Sequence, residues 1–171
     1  VLVTHDQEEA LTMSDRIAVM FDGKIAQVAS PQILYGKPGT REVAAFIGMM
    51  NFLDAKVLTA SGDNVEVEVQ SLGKLTLSLE QATGGLDGCN SVGVRPEMLT
   101  ILTGSQTSER EIEAEVTEVS YYGDMTYYDV KFPSKEDPIT VTMRNTAGRE
   151  VLEVGAKARV GWSTSSLLLL K

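Results

Sequence analysis

The segments Leu53-Asp54-Ala55-Lys56-Val57 and Ile112-Glu113-Ala114-Glu115-Val116 repeat one pattern, in which apolar residues alternate with charged or small ones. A period of two is typical of a strand that buries one face. Two more pairs of similar segments follow in the same order along the chain: Leu75–Leu79 with Ile139–Met143, and Val92–Val94 with Val160–Trp162. Any two strands alternate alike, but three matches in the same order favour a duplicated β unit.

Strand patterns continue from residue 51 to the last residues of the chain, and no helical period interrupts them. The predicted strands are 51–59, 64–70, 74–80, 91–95, 98–102, 111–121, 125–132, 138–144, 156–162 and 166–170. Short strands of even spacing are typical of small barrels. We therefore predict a mainly β chain in which residues 49–171 form two OB-like barrels of five strands each, with or without shared strands.

Residues 1–48 have a different, α/β character. The predicted strands here are 16–21 and 24–29. They flank Asp22-Gly23, a pair that favours a type I′ hairpin because both residues tolerate positive φ. Ser30-Pro31 and Thr40 each begin a short helix, and Gly48 ends the second one. The change of pattern predicts a domain boundary between residues 48 and 49.

The only histidine of the chain, His5, lies among the first ten residues. Val1–Thr4 have strand character, and Asp6 is placed to cap a helix in which Glu9 completes a capping-box-like pair. The side chains of residues 7–9 are expected on the solvated face of that helix. A histidine between a strand and a helix is either a structural turn residue or a catalytic group at the crevice of an α/β domain.

Composition narrows the classes of partner. The formal net charge is −9, and a surface this acidic repels phosphate backbones, so we expect no nucleic-acid partner. No segment approaches the roughly 20 apolar residues that cross a bilayer, so direct membrane insertion is not expected. Cys89 is the single cysteine, which excludes an internal disulfide and leaves its own role open. The chain begins in strand-like residues without Met, and we expect it to be the C-terminal part of a longer protein.

Taken in order, these features resemble the C-terminal part of ABC-transporter ATPases of the maltose- and polyamine-importer type. The segments that carry the resemblance are Val1–Ala10 (the switch-histidine segment), Asp15–Ile25 (the hairpin after it), Ser30–Pro38 and Val43–Gly48 (the end of the nucleotide-binding domain), and Asn51–Leu53 and Val94–Glu97 (the appended TOBE domain, a paired OB-like barrel). The resemblance covers nearly the whole chain. It implies that residues 1–48 are the remnant of an ABC ATPase domain and residues 49–171 a TOBE domain.

The resemblance also implies a role for His5. In this family the switch histidine reaches the γ-phosphate and the attacking water, where a hydrogen-bonding group stabilises charge that develops during phosphoryl transfer. ATP and Mg²⁺ are implied for the longer parent, and no cofactor for this chain alone. The implied partners are transmembrane permease subunits and a second copy of the chain, and the implied location is cytoplasmic, at the inner face of the membrane.

The other parts of an ATP site do not occur in the sequence. No Gly-x-x-x-x-Gly-Lys-Ser/Thr segment is present to cradle phosphates, and no strand ending in a magnesium-binding Asp precedes His5. We therefore predict that the chain alone neither binds nor hydrolyses ATP. Titration calorimetry with Mg²⁺ and ATP tests this, since micromolar binding would contradict it.

Arg95 and Glu97 flank Pro96 at the end of a predicted strand and are the candidate structural or regulatory residues of the barrel. A structural ion pair that holds this turn and a contact with a regulatory ligand are both open.

Four tyrosines surround the predicted hairpin turn at Gly123-Asp124: Tyr121, Tyr122, Tyr127 and Tyr128. Such side chains pack in cores and interfaces or stack on ligands. This segment resembles the polyamine branch of the family more than the sugar branch. The leading hypothesis is therefore the regulatory and dimerising part of an ATP-driven import subunit of polyamine type. The alternative is a TOBE module that senses a small ligand or an oxyanion.

Overall fold

Twelve strands and three short helices make up the fold, and the computed structural model describes all residues, 1–171. The helices are α1 (Gln7–Met13), α2 (Pro31–Gly36) and α3 (Arg41–Phe46). None of them is long and apolar enough to span a bilayer. The strands are β1 (Ile17–Phe21), β2 (Lys24–Ala29), β3 (Asn51–Ser61), β4 (Asn64–Val69), β5 (Gly73–Ser78), β6 (Ser91–Val94), β7 (Thr100–Leu102), β8 (Arg110–Tyr121), β9 (Met125–Lys131), β10 (Ile139–Arg144), β11 (Lys157–Trp162) and β12 (Leu168–Leu170). The prediction of a mainly β chain is confirmed.

The last ten strands form two antiparallel sheets of the same design. One sheet has the order β12-β6-β3-β4-β5, and the other, read in the matching direction, has the order β7-β11-β8-β9-β10. Strands β3 to β7 correspond one by one to β8 to β12. In each sheet four strands come from one repeat and the edge strand comes from the other. The sequence left shared strands open, and the structure resolves this as a reciprocal exchange of β7 and β12.

One glycine in β6 and one in β11 make room for the exchanged strands. A Cβ atom at Gly93 would lie 3.0 Å from Leu170 Cδ1, and one at Gly161 would lie 3.0 Å from Leu102 Cδ1. Leu170 belongs to β12 and Leu102 to β7, which are the two exchanged strands. A side chain at either glycine would therefore crowd the leucine of the exchanged strand, and at Gly161 it would also meet Ser108 Cβ at 2.6 Å.

The two sheets bury a single hydrophobic core whose residues extend from Leu53 to Leu169. Polar side chains also link one sheet to the other. The Asn51 amide donates to the Thr140 carbonyl and accepts from the Thr140 N–H, both at 2.8 Å. Gln81 Nε2 donates to the carbonyls of Thr164 and Leu167 at 2.8 and 2.7 Å. Because the core and these bonds are shared, the two repeats form one folding unit.

The α/β part has a smaller hydrophobic cluster of its own. Its five buried residues are Ile17, Val19, Leu34, Val43 and Ile47. β1 and β2 form the predicted hairpin, in which Asp22 and Gly23 have φ values of 48° and 75°. A two-stranded hairpin is only marginally stable alone, so α2 and α3 supply the apolar surface that covers it.

The N-terminal segment departs from the prediction in two respects. Val1–Thr4 form no strand, because no neighbouring strand pairs with their backbone groups. The Asp6 carboxylate caps α1 as predicted, accepting from the N–H groups of Glu8 and Glu9 at 2.8 and 3.1 Å. Glu9 does not complete a capping box, since its carboxylate accepts from the Thr4 hydroxyl at 2.9 Å.

Candidate functional site

Arg95, at the end of β6, holds the barrel and the α/β part together. Its Nη1 atom donates to the carbonyls of Ala44, Ile47 and Met49 at 3.3, 2.7 and 2.9 Å. Its Nη2 atom donates to the Tyr35 carbonyl at 2.9 Å. One side chain of the barrel thus reaches α2, the end of α3 and the segment that leads into β3. We call Arg95, Tyr35, Glu97 and Gly48 the Arg95 joint.

A guanidinium group suits this position for two physical reasons. The last carbonyls of a helix lack partners inside the helix and carry partial negative charge, so a cation with several donors stabilises them. Arginine is also the cation that stays charged when buried. Arg95 is only 4% exposed, and burial lowers the pKa of its side chain. Its Nε atom is buried without a hydrogen-bond partner, which concentrates all of its bonding on the two Nη atoms.

Tyr35 is the second component of the joint. The guanidinium carbon of Arg95 lies 3.9 Å from the centre of the Tyr35 ring, a cation–π contact. The Tyr35 hydroxyl donates to Glu97 Oε1 at 2.5 Å. Burial, followed by this hydrogen bond and the negative charge of Glu97, raises the pKa of Tyr35 to about 12. The hydroxyl therefore remains a donor throughout the neutral range.

Of the two alternatives that the sequence leaves open for Arg95 and Glu97, the ion pair is not formed. The salt bridges of the chain are Lys135–Asp137 and Arg159–Glu111. Arg95 and Glu97 both contact Tyr35 instead, one through its ring and carbonyl and the other through its hydroxyl. The intervening Pro96 begins a single 3₁₀ turn (Pro96–Met98), which directs the two side chains to different parts of the tyrosine.

Gly48 lies against the joint with no space for a side chain. Its φ value is 73°, a left-handed conformation that favours glycine. A Cβ atom here would lie 2.8 Å from Tyr35 Cε2 and 3.3 Å from Arg95 Nη1. The carbonyls on either side of Gly48, those of Ile47 and Met49, are the two shortest acceptors of Arg95 Nη1. The backbone at Gly48 is therefore enclosed by the joint.

Other contacts bring the same two parts of the chain close together. The Thr83 hydroxyl donates to the Pro38 carbonyl, and the Arg41 N–H donates to the Lys171 carbonyl at 2.8 Å. The Arg41 guanidinium carbon lies 4.5 Å from the centre of the Phe52 ring. Arg95 therefore acts within a continuous contact surface.

His5 lies apart from Arg95 and Glu97, in the turn before α1. Its side chain is exposed, and the hydrogen bonds of this segment are made by its neighbours. The Thr4 hydroxyl accepts from the Asp6 N–H at 2.9 Å and donates to Glu9. The backbone on both sides of His5 is thus held to the first turn of α1, while the imidazole faces solvent.

Gln7 connects the His5 turn with the joint. Its Oε1 atom accepts from the Gly48 N–H at 2.9 Å. We expected Gln7 to lie with Glu8 and Glu9 on a solvated helix face, and this is wrong for Gln7, which is half-buried. Its side chain points to the C-terminal exit of α3 because the N–H of Gly48 has no acceptor in that helix.

The residues of this chain do not by themselves fit Mg²⁺ and ATP. No group of three or more His, Cys, Asp or Glu side chains is placed to hold a metal ion. One exposed imidazole supplies neither a phosphate cradle nor a magnesium ligand set.

The same turn in the second repeat has different chemistry. β11 is followed by Ser163 and a 3₁₀ turn at Thr164–Ser166, where β6 is followed by Arg95 and Pro96–Met98. Glu109 accepts from the hydroxyls of Ser163 and Thr164 at 2.7 and 2.5 Å. The bonds from Thr164 and then Ser163 lower the pKa of Glu109, whose carboxylate is exposed. We call this group the Glu109 turn.

The four tyrosines of the β8–β9 hairpin separate into two environments. Tyr128 is buried in the core, whereas Tyr121 and Tyr122 are 63% and 69% exposed. The rings of Tyr122 and Tyr127 meet edge to face, with centroids 5.3 Å apart. The expected core packing therefore holds for Tyr128, and the hairpin tip presents aromatic surface to solvent.

Sequence reasoning identified Arg95, Glu97 and His5 but missed Tyr35 and Gln7. Tyr35 was assigned only to a short helix, and Gly48 only to a helix end. The partners of Arg95 are backbone carbonyls, and the partner of Gln7 is a backbone N–H. Such groups are present at nearly every residue, so the sequence carries no signal that selects them.

Residues 92–170 match the TOBE domain family. A solved structure of the cytoplasmic molybdate-binding protein ModG matches with a TM-score of 0.52 and 20% sequence identity, covering 70% of this chain and 94% of that chain. At this level of identity the likeness concerns the fold alone, and it confirms an OB-fold-like barrel.

Curated relatives match the chain over nearly its whole length. The spermidine/putrescine import ATP-binding protein PotA of Rubrobacter xylanophilus is 36% identical over 99% of this chain and 44% of that protein. PotA of Pseudomonas aeruginosa is 36% identical over 95% of this chain and 45% of that protein. The maltose/maltodextrin import ATP-binding protein MalK of Yersinia pestis is 34% identical over 94% of this chain and 42% of that protein. The chain thus spans less than half the length of these relatives.

Proposed function

We propose that this chain, which carries a TOBE domain and matches the C-terminal part of an ABC import ATP-binding subunit, joins the switch histidine of such a subunit to a regulatory and dimerising barrel. Residues 1–48 are then the end of the ATPase domain, and residues 49–171 are the TOBE domain. ATP and Mg²⁺ are bound by the longer protein, and His5 contributes the hydrogen-bonding group at the γ-phosphate.

The Arg95 joint is the observation that carries this proposal. A barrel that is attached only by a flexible linker has no fixed position relative to a catalytic domain and cannot regulate it by contact. Here a buried guanidinium with four carbonyl acceptors gives the two parts a defined relative position. Each of these bonds involves a charged donor, which makes it stronger than a neutral pair. A displacement of Arg95 with the barrel therefore alters its hydrogen bonds to α2 and α3.

The polyamine assignment is the finer part of the proposal. It is supported by the spermidine/putrescine import proteins among the relatives and by the Tyr-rich hairpin of residues 121–128. The partners are transmembrane permease subunits and a second copy of the chain. The subunit works in the cytoplasm, at the inner face of the membrane, without inserting into the bilayer.

Two chimeras test the proposal. Residues 1–171 replace the matching part of a spermidine/putrescine import ATP-binding protein and of a maltose import ATP-binding protein, each assembled with its own permease in proteoliposomes. We expect ATP hydrolysis in the first chimera, and His5→Ala lowers its rate about 100-fold, as the loss of one transition-state hydrogen bond does. The surface change Thr107→Ala is the matched control.

The outcomes separate the general proposal from the polyamine assignment. Equal hydrolysis with and without His5, in chimeras that assemble normally, rejects the switch role. Coupled uptake in the maltose chimera but not in the polyamine chimera rejects the polyamine assignment alone. Light scattering on the isolated chain tests the homodimer, and a monomer at high concentration contradicts it.

The alternative of an oxyanion sensor lacks a free cation at the most promising position. Arg95 is the buried basic residue of the barrel; carbonyls already engage both of its Nη atoms, which leaves Nε as a single unpartnered donor. An oxyanion site needs convergent donors that are not otherwise satisfied. The structure therefore supports the import-subunit function better than oxyanion sensing.

A further inference from the structure

We propose that Arg95 and Gln7 are positioning residues for His5, so that the barrel sets the position of the switch histidine through the backbone at Gly48. This inference rests on the proposed function, in which His5 acts at the γ-phosphate. Neither Arg95 nor Gln7 touches the reacting atoms. Each acts through the segment that it holds.

The connection begins at Arg95. Its Nη1 atom donates to the carbonyls on both sides of Gly48, at 2.7 Å for Ile47 and 2.9 Å for Met49. Gly48 has no side chain, and Tyr35 and Arg95 lie directly against its Cα. No side-chain rotation at residue 48 can therefore absorb a displacement of Arg95. A movement of the end of β6 relative to α3 therefore displaces the peptide groups of residue 48 directly.

The next contact is the hydrogen bond from the Gly48 N–H to Gln7 Oε1, at 2.9 Å. Gln7 is the first residue of α1. None of the residues of α1 is fully buried, although Ala10 and Leu11 pack against the small hydrophobic cluster of the α/β part. The bond from Gly48 is the hydrogen bond that fixes the first residue of this helix relative to the end of α3.

The last step runs from α1 to His5. Asp6 caps the helix, and Thr4 bonds to both the Asp6 N–H and the Glu9 carboxylate. Residues on both sides of His5 thus move with the first turn of α1. A displacement at Gln7 reaches the imidazole without any direct contact between His5 and the barrel.

The chain offers an unambiguous probe, because His5 is its only histidine. With ¹³C- and ¹⁵N-labelled histidine, the imidazole gives a single Hε1–Cε1 cross-peak. We expect Arg95→Met to shift this peak and to increase imidazole motion, measured by relaxation. Gln7→Leu has the same effect, and Gln7→Glu restores the wild-type peak because a carboxylate also accepts from the Gly48 N–H.

The matched control is Arg159→Met. Arg159 also holds backbone carbonyls, those of Gly104 and Gln106 at 2.8 and 3.1 Å, but in the loop between β7 and β8. We expect Arg159→Met to leave the His5 peak within one linewidth of its wild-type position. In a chain that already carries Gln7→Leu, Arg95→Met produces no additional shift if the effect passes through Gln7, since changes along one route are not additive.

An unchanged His5 peak in folded Arg95→Met overturns the inference, and so does an additional shift of full size in the Gln7→Leu background. Fluorescence of Trp162, the only tryptophan, reports whether the barrel is folded in each variant. If Arg95→Met fails to fold, Arg95→Lys decides between the same two outcomes, because one ammonium group cannot bond to α2 and α3 together. No nucleotide is present, so failure here is distinct from failure of the import function, which the chimeras test.

Discussion

The turns after β6 and β11 occupy the same position in the two repeats but perform different tasks. In the first turn, Arg95 is buried and bonds to carbonyls of α2 and α3. In the second, the hydroxyls of Ser163 and Thr164 bond to the exposed Glu109, and the Thr164 carbonyl accepts from Gln81 of the first repeat. The strands before both turns, and the glycines inside those strands, are alike. The difference shows that the buried guanidinium that holds the α/β part belongs to one repeat only, because the matching residue of the other repeat is Ser163.

Burial explains why the two turns differ in energetic weight. Arg95 is 4% exposed, so water cannot reach the carbonyls that it holds. If the guanidinium is removed, these acceptors stay without a hydrogen bond. The hydroxyls of the Glu109 turn are partly exposed, and water can take over their bonds. We therefore expect substitutions at the Arg95 joint to have larger effects than matched substitutions elsewhere.

The largest expected effect is that of Arg95→Met. Four carbonyls lose a charged donor, and the free energy of unfolding falls by about 2–4 kcal/mol, the cost of leaving buried acceptors unsatisfied. Ser163→Ala, at the matching position, changes it by less than about 0.5 kcal/mol. Urea unfolding measures both, and limited proteolysis between residues 48 and 51 detects release of the α/β part. Equal losses in the two variants would remove the contrast between the turns.

The next effect is that of Gly48→Ala. The new Cβ would lie 2.8 Å from Tyr35 Cε2, and the alanine would have to adopt a φ of 73°. We therefore expect strain and overpacking to lower the free energy of unfolding by about 2–3 kcal/mol. Gly123→Ala is the control, because φ is 87° there but nothing lies within 4 Å of the added atom. Gly123→Ala should lower the free energy of unfolding by about 1–2 kcal/mol, the cost of the left-handed backbone conformation alone. Thermal unfolding of both variants isolates the contribution of the enclosed site.

A smaller effect concerns alkaline pH. The pKa of Tyr35 is raised from 10.0 to about 12, and the neutral phenol is the form that donates to Glu97. The resulting stabilisation is complete below pH 10 and is lost as the pH rises from about 10 to about 12. Tyr35→Phe removes this component of the pH dependence, whereas Tyr122→Phe keeps it. An ultraviolet titration that lacks a late tyrosine step would count against the buried bond.

The smallest expected effect concerns the Glu109 turn. Hydrogen bonds from Thr164 and Ser163 lower the pKa of Glu109, so their stabilisation is present above its ordinary pKa and is lost as the pH falls through the lowered value. Replacing Thr164 by Val returns the pKa of Glu109 towards its usual range, as carbonyl ¹³C NMR can measure. Because this carboxylate is exposed, we expect no resolvable change in unfolding at neutral pH.

The local elements and the duplication could be predicted from the order of the amino acids. Alternating residues predicted all twelve strands, Asp22-Gly23 predicted the hairpin turn, and Thr40 predicted the start of α3, because these signals lie within a few neighbouring residues. The repeat of Val-Gly-Val as Val-Gly-Trp marked the paired strands, and in the structure each glycine lies against a leucine of an exchanged strand.

Three features depend on the folded chain: which strands exchange, which carbonyls Arg95 holds and how Gln7 reaches Gly48. Val1–Thr4 have strand-like side chains but no strand, because strand formation requires a partner that side-chain pattern does not supply. The acceptors of Arg95 are carbonyls of Tyr35, Ala44, Ile47 and Met49. Each residue carries such a carbonyl whatever its side chain. A contact between a side chain and distant backbone therefore leaves no pattern in the sequence, and it exists only once the chain has folded.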